Sequence, residues 1–268
     1  MKKTILSVLI FFSLFSTANA KHIKKYPKEI STINYEDILD TKEIDWYIVP
    51  NKNNLPPEPN KDAISLFEKY NGYYIGNTEK KVLYLTFDEG YENGYTSQIL
   101  DILKNHNVPA AFFVVKPYIK GNKDLILRMV NEGHLVCNHS STHPSMAKVT
   151  NLEKFKKEFS DVEYEYEKIT NKKMPKYFRP PMGKFSEYSL KQTDDLGYKN
   201  IFWSFAYKDF DIKNQPSKDA AEKLILSRIH NGSIILLHAV SKTNSEILDN
   251  LISNLKSQGY EFRSLNDF

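Results

Sequence analysis

The chain has 268 residues, with 37 Lys and Arg against 33 Asp and Glu, a formal net charge of +4, and a single cysteine. Both signs of charge are interspersed, so there is no polybasic footprint for nucleic acid, and one cysteine, Cys137, excludes an intrachain disulfide. Stability must then come from a hydrophobic core, which a chain of this length can supply; the 13% aromatic share suits a core and a carbohydrate-facing surface equally.

At the start, Lys2 and Lys3, an apolar run from Ile5 to Phe15, and Ala18-Asn19-Ala20 form the pattern of a secretory leader over residues 1–20. The run is well short of the roughly 20 residues that a membrane-spanning helix needs. The expectation is an exported protein working outside the cytoplasm from Lys21 onward; an uncleaved leader, acting as a loose anchor, is the alternative. Residues 21–79 read as an N-terminal extension: polar, broken at Pro56-Pro57-Glu58-Pro59, with one short helix from Asp62 to Tyr70 and a turn at Asn71-Gly72.

From residue 80 the chain alternates. Lys81 to Phe87 is a strand rich in apolar and aromatic residues, and Thr96 to Lys104 has the helical spacing of Ile99, Leu100 and Leu103. Ala110 to Val115 is a continuous apolar strand, Asp124 to Asn131 a helix, and Leu135 to Cys137 a short strand that delivers Asn138-His139. A long charged helix over Leu152 to Ile169 follows, then Tyr177-Phe178, a helix from Ser186 to Leu196, a strand from Asn200 to Phe205, a helix from Asp219 to Ile229, a strand from Ser233 to Leu237, and a closing helix from Ser245 to Ser257. Such alternation predicts an α/β fold with a parallel sheet or barrel over residues 80–268.

The polar clusters each follow an apolar run, at the predicted C-terminal end of a strand, the rim on which α/β barrels assemble their sites. Adjacent carboxylates Asp88 and Glu89 offer one group to ligate a metal and one to accept a proton from water; the alternative is an Asx turn or helix cap. His139 and His143, spaced i and i+4, can lie on one helix face and reach a single divalent metal; a pair of surface or capping histidines is the alternative. Arg179, ahead of Pro180 and Pro181, sits on a stiffened turn suited to a bidentate grip on Asp88 or to bridging loops. His238 ends an apolar strand, where an imidazole suits a general acid or a structural role.

Taken together, Thr86–Gly90, His139–His143, Arg179–Pro181, Trp203–Phe210 and Leu236–His238 resemble, in order and spacing, the polysaccharide deacetylase family, carbohydrate esterase family 4 with NodB homology, over residues 80–268. The resemblance implies a distorted (β/α) barrel of the NodB type, a bound divalent metal, zinc above others, and hydrolysis of an N-acetyl group on a glycan. By position it implies Asp88 as general base, Arg179 as its orienting partner, His238 as general acid, and His139 and His143 as metal ligands. Glu89 stands where the family carries an Asp as third metal ligand, Trp203 where a wall of the acetyl pocket is formed, and Pro181 beside the substrate. Ala206 replaces an Asp found in many members, so tuning of His238 falls to Asp209 or to nothing.

The stretch Phe87 to Thr96, with Arg179-Pro180-Pro181 and His238-Ala239-Val240-Ser241, further resembles the muramic acid deacetylase branch of that family. This implies a monomer acting on N-acetylmuramic acid in peptidoglycan strands whose peptide stems another enzyme has trimmed, as a step towards the muramic δ-lactam of spore cortex. Two alternatives stay open: a deacetylase of N-acetylglucosamine in peptidoglycan or chitin oligomers, and, because Glu89 breaks the metal motif, a glycan-binding module with weak or no catalysis.

Overall fold

Each apolar run beyond residue 80 becomes a strand of one curled parallel sheet, and the helices between them cover its outer face. The computed structural model describes residues 39–268; the expected leader and the start of the extension lie outside the described residues. The first part supplies β1 (Ile44–Asp45), β2 (Ile48–Val49), β3 (Glu58–Pro59), α1 (Lys61–Lys69) and β4 (Gly72–Tyr73). Then follow β5 (Val82–Glu89), α2 (Thr96–Asn105), β6 (Ala110–Val114), α3 (Lys116–Gly121), α4 (Lys123–Asn131), β7 (Leu135–Asn138), α5 (Leu152–Thr170) and β8 (Tyr177–Phe178). The chain ends with β9 (Lys184–Phe185), α6 (Glu187–Asp195), β10 (Lys199–Ile201), α7 (Lys218–Arg228), β11 (Ser233–His238), α8 (Lys242–Ser257) and β12 (Glu261–Phe262).

Across the sheet the order is β11-β5-β6-β7-β8-β10-β4, with every pairing parallel. β12 takes the free edge of β5 at Val82 and Leu83, ahead of the point where β6 joins at Leu85. The gap between β10 and β11 is closed by the chain running on from β10: Phe205 bridges Ile235, and Leu236 N donates to Phe205 O at 2.9 Å. The result is the expected distorted (β/α) barrel.

Period-two alternation sorts the strands' side chains into two layers. On β5, Leu83, Leu85 and Phe87 face the helices and join Phe112, Val136, Ile235 and Leu237 in the main core. Val82 and Tyr84 fill the barrel interior with Ala111, Phe113, Cys137 and Ile234. Asp88 shares the interior parity of Val82 and Tyr84, and β11 pairs with β5 so that His238 stands opposite Asp88. The sequence pattern therefore carries both titratable groups to one rim of the barrel.

Residues 39–79, read as an extension rather than an independent domain, belong with the rest to one compact unit, residues 39–268. β1 pairs with β9, and β4 extends the main sheet beside β10. Trp46, Phe67, Phe185 and Phe202 share a satellite core in which Phe67 stacks on Phe202 at 4.4 Å between centroids. The polar composition of residues 39–79 hid this, because only a few large side chains carry the attachment. Removing them leaves a cavity against the barrel wall, so Phe67→Ala is expected to lower unfolding free energy by about 3–5 kcal/mol, measured by urea denaturation; a loss under about 1 kcal/mol would mean the segment is only loosely attached.

Candidate active site

The rim encloses a cavity of about 510 Å³, lined among others by Asp88, His139, His143, Trp203 and His238. These come from four separate stretches of the chain, Asp88 and His238 at the ends of β5 and β11 and the others on loops after β7 and β10, and the chemistry starts with Arg179. Its side chain is fully buried: Nε donates to Ile201 O at 3.1 Å, Nη2 to Phe202 O at 3.3 Å, and Nη1 to Asp88 Oδ1 at 2.8 Å. The guanidinium lies 4.2 Å over the Phe113 ring. The expected bidentate grip on Asp88 is replaced by one charge-assisted bond, because Nε and Nη2 are turned to two backbone carbonyls. Burial pushes the Asp88 carboxyl up, but the Arg179 guanidinium and the imidazoles of His139 and His238 outweigh it and hold the carboxyl below its ordinary range.

His139 and His143 do come together, with ring centroids 4.9 Å apart, though not on a helix. Pro144 disfavours helical backbone at His143, and both Ser140 (φ 70°) and His143 (φ 58°) adopt the left-handed region. Asn138 Oδ1 accepts from Ser140 N, and Ser140 Oγ from His143 N, each at 2.9 Å, so local side chains hold the turn. Nδ1 of His139 lies 2.8 Å from Arg179 O, which only accepts, so Nδ1 carries the proton and Nε2 presents its lone pair to the cavity, 3.5 Å from Asp88 Oδ2. Burial lowers the His139 pKa to about 4, leaving the ring neutral near pH 7. His143 at the rim is lowered in the same way, burial again being the main cause. Two neutral imidazoles, one oriented by a carbonyl behind it, fit a divalent metal.

Glu89 does not join them. It has the parity of Phe87 and so leaves the face that carries Asp88, outside the cavity lining. It is fully buried with no hydrogen-bond partner for either oxygen, and burial, then the charges of Glu92 and Asp88, push its carboxyl well above the ordinary range. Among the described residues no three His, Cys, Asp or Glu side chains converge to cage an ion. The expected third ligand at position 89 is thus not supplied in this arrangement.

His238 is held from behind. Nδ1 lies 2.7 Å from Oδ1 of fully buried Asp209, and His238 N donates to Asp209 Oδ2 at 2.8 Å. Burial works to lower the His238 pKa, but the hydrogen bond and charge of Asp209, with Asp88, raise it above the ordinary imidazole value. Of the two outcomes left open at Ala206, the geometry favours Asp209. Trp203 lines the cavity, whereas Pro181 is buried away from it; the next two residues, Met182 and Gly183, line it instead. Gly183 (φ 66°) packs so closely on Trp203 that a Cβ would come within 2.8 Å of the ring. Sequence reasoning missed Phe210, whose ring stands 5.5 Å from His238, and Asn244, which donates to Asp209 Oδ2 at 2.6 Å. Asn244 looks like an ordinary first-turn residue of α8, and only the fold brings it to the site.

Residues 75–201 match the polysaccharide deacetylase family. The chain is 45% identical over 231 residues, 86% of this chain and 88% of the relative, to the peptidoglycan-N-acetylmuramic acid deacetylase PdaA of Bacillus subtilis. The solved structure of that family 4 carbohydrate esterase superposes with a TM-score of 0.83, covering 85% of this chain and 97% of the other. A family 4 carbohydrate esterase from Bacillus anthracis, 44% identical, superposes with a TM-score of 0.72 over the same shares.

The buried Glu89 makes a thermodynamic signature. A carboxyl raised in the folded state keeps its contribution below the unfolded value near 4.5 and loses it as pH rises towards the folded value. Glu89→Gln cannot ionise, so its stability is expected to fall less between pH 4.5 and neutrality than that of the wild type. Parallel slopes in urea titrations across that window would contradict a proton held at Glu89.

Proposed function

The chain belongs to the polysaccharide deacetylase family, family 4 of the carbohydrate esterases, and from that premise we propose that it hydrolyses the N-acetyl group of N-acetylmuramic acid in peptidoglycan. Members of the family are metal-dependent. The observation that carries the reading is the register of β5 and β11, which sets an ionised Asp88 directly opposite a His238 with a raised pKa across one cavity. Two groups pushed in opposite directions form an acid and base pair. The substrate class is supported by the 45% identity to a muramic acid deacetylase over most of both chains; the reading extends to glycan strands trimmed of peptide stems, and to muramic δ-lactam formation in spore cortex. It also takes the chain to be exported, as the leader pattern over residues 1–20 suggests.

In this reaction Asp88, kept as a carboxylate by Arg179, accepts a proton from the attacking water at Oδ2, the oxygen that Arg179 leaves free. Trp203 forms an apolar wall for the acetyl methyl. His238 donates its Nε2 proton to the departing amine, while Asp209 keeps Nδ1 occupied. His139 and His143 would hold a divalent metal, zinc being our choice for two imidazoles, which supplies Lewis-acid polarisation of the amide carbonyl.

The test is acetate release from peptide-free muramic glycans, with N-acetylglucosamine polymers alongside. Asp88→Asn keeps an acceptor for Arg179 and so should fold, yet lose about 10²-fold or more in kcat. Asp88→Ala strands a buried guanidinium and should be unstable as well as inactive. An Asn variant with wild-type turnover would eliminate Asp88 as base, and release from N-acetylglucosamine polymers alone would move the substrate to the glucosamine class. In equilibrium dialysis against zinc, His139→Ala should weaken binding at least about tenfold, while Glu89→Gln leaves it within about twofold of wild type; the reverse ranking would restore Glu89 as the ligand.

A further inference from the structure

Asn244 sits in the first turn of α8, its backbone N donating to the capping hydroxyl of Ser241 at 3.1 Å. Its side chain is 1% exposed, and both its polar atoms are engaged. Nδ2 donates to Asp209 Oδ2 at 2.6 Å and to His238 O at 3.2 Å, and Oδ1 accepts from the Tyr207 hydroxyl. The amide cannot be turned over, because a carbonyl oxygen in place of Nδ2 would face a carboxylate and a second carbonyl. Asp209 Oδ2 is thus occupied by two donors, His238 N and Asn244 Nδ2, and Oδ1 alone is left for the His238 ring.

We propose that Asn244, pinned by Tyr207, is a positioning residue for His238: it locks Asp209 as an acceptor behind the imidazole and takes up part of the carboxylate's charge. The lock fixes the ring proton on Nδ1 and aims Nε2 into the cavity. The shared charge limits how tightly the ring keeps the proton that it must deliver; an acid that grips its proton too firmly donates it poorly. This rests on reading His238 as the acid. The other charged groups bearing on that ring are Asp88 from β5 and Arg179 from the turn after β8. His143 bears on it from the loop after β7, and the Phe210 ring packs against it.

The test needs no turnover, so it stands apart from the deacetylase reading. Imidazole signals are titrated by NMR in EDTA-treated protein, with His238 assigned from the His238→Gln variant. Asn244→Leu, similar in shape, removes the donor and leaves more charge on Asp209, so His238 should titrate about half a unit to one unit higher. Tyr207→Phe frees the amide without deleting it and should shift His238 in the same direction by less. Should Asn244→Leu fail to fold, the Tyr207→Phe titration decides alone. In acetate release, Asn244→Leu should lower kcat about tenfold with KM within about twofold, as for a group that touches no substrate. A His238 titration unmoved or moved downward in either variant would overturn the proposal, leaving Asn244 as a residue of the helix turn.

Discussion

A guanidinium with no access to solvent must be matched by acceptors on every side, and that requirement at Arg179 organises the rim. Its donors reach Ile201 O at the end of β10, Phe202 O just past it and Asp88 at the end of β5, while its own carbonyl accepts from His139 and its amide donates to Asn138 O at the end of β7. Strands far apart in sequence are thereby tied through one side chain. A buried ion pair gives little net stability against an apolar replacement, since desolvation offsets the Coulombic gain. Its value lies in geometry: once the cation is buried, Asp88 has to stay ionised and in place.

Much of this was legible in the chain. Parallel strands buried on both faces read as unbroken apolar runs, so Val82–Phe87, Ala110–Val115 and Ser233–Leu237 declared themselves, and the polar residue after each run marked the rim. What failed was local. The i, i+4 spacing of His139 and His143 suggested a helix, yet Pro144 and the side-chain bonds of Asn138 and Ser140 impose a turn that brings the rings together by another route. The attachment of residues 39–79 escaped notice because Trp46 and Phe67 are isolated in a polar stretch, and isolated aromatics carry no period. Asn244 was invisible for a different reason: its role depends on which strand α8 follows, a tertiary fact with no local signature.

Glu89 separates motif from geometry. Asp88 and Glu89 are neighbours in sequence, and a strand sends neighbours to opposite faces. A carboxylate at position 89 can reach the histidines only if β5 breaks its alternation at its last residue. Here the strand runs unbroken through Glu89, which pairs with Val114. The extra methylene of Glu then carries the carboxyl further from the cavity, into a place where it finds neither hydrogen bond nor cation. The motif survives in the sequence while its second carboxylate is spent on burial, away from the two imidazoles that face the cavity.

The two carboxylates that remain at the site are buried alike and used differently. Asp88 is bound through one oxygen to a cation that never titrates, so its second oxygen stays open to the cavity, as the proposed base requires. Asp209 is fully buried, with a protein donor on Oδ1 and two on Oδ2, so it faces the His238 ring and backbone rather than the cavity. Exchange these environments and the proposed chemistry has no base: an Asp88 saturated with donors could take no proton from water. The proposed division into base and tuning residue thus follows from what each carboxylate's oxygens face, which is set by neighbours on other elements rather than by either aspartate's own place in a motif.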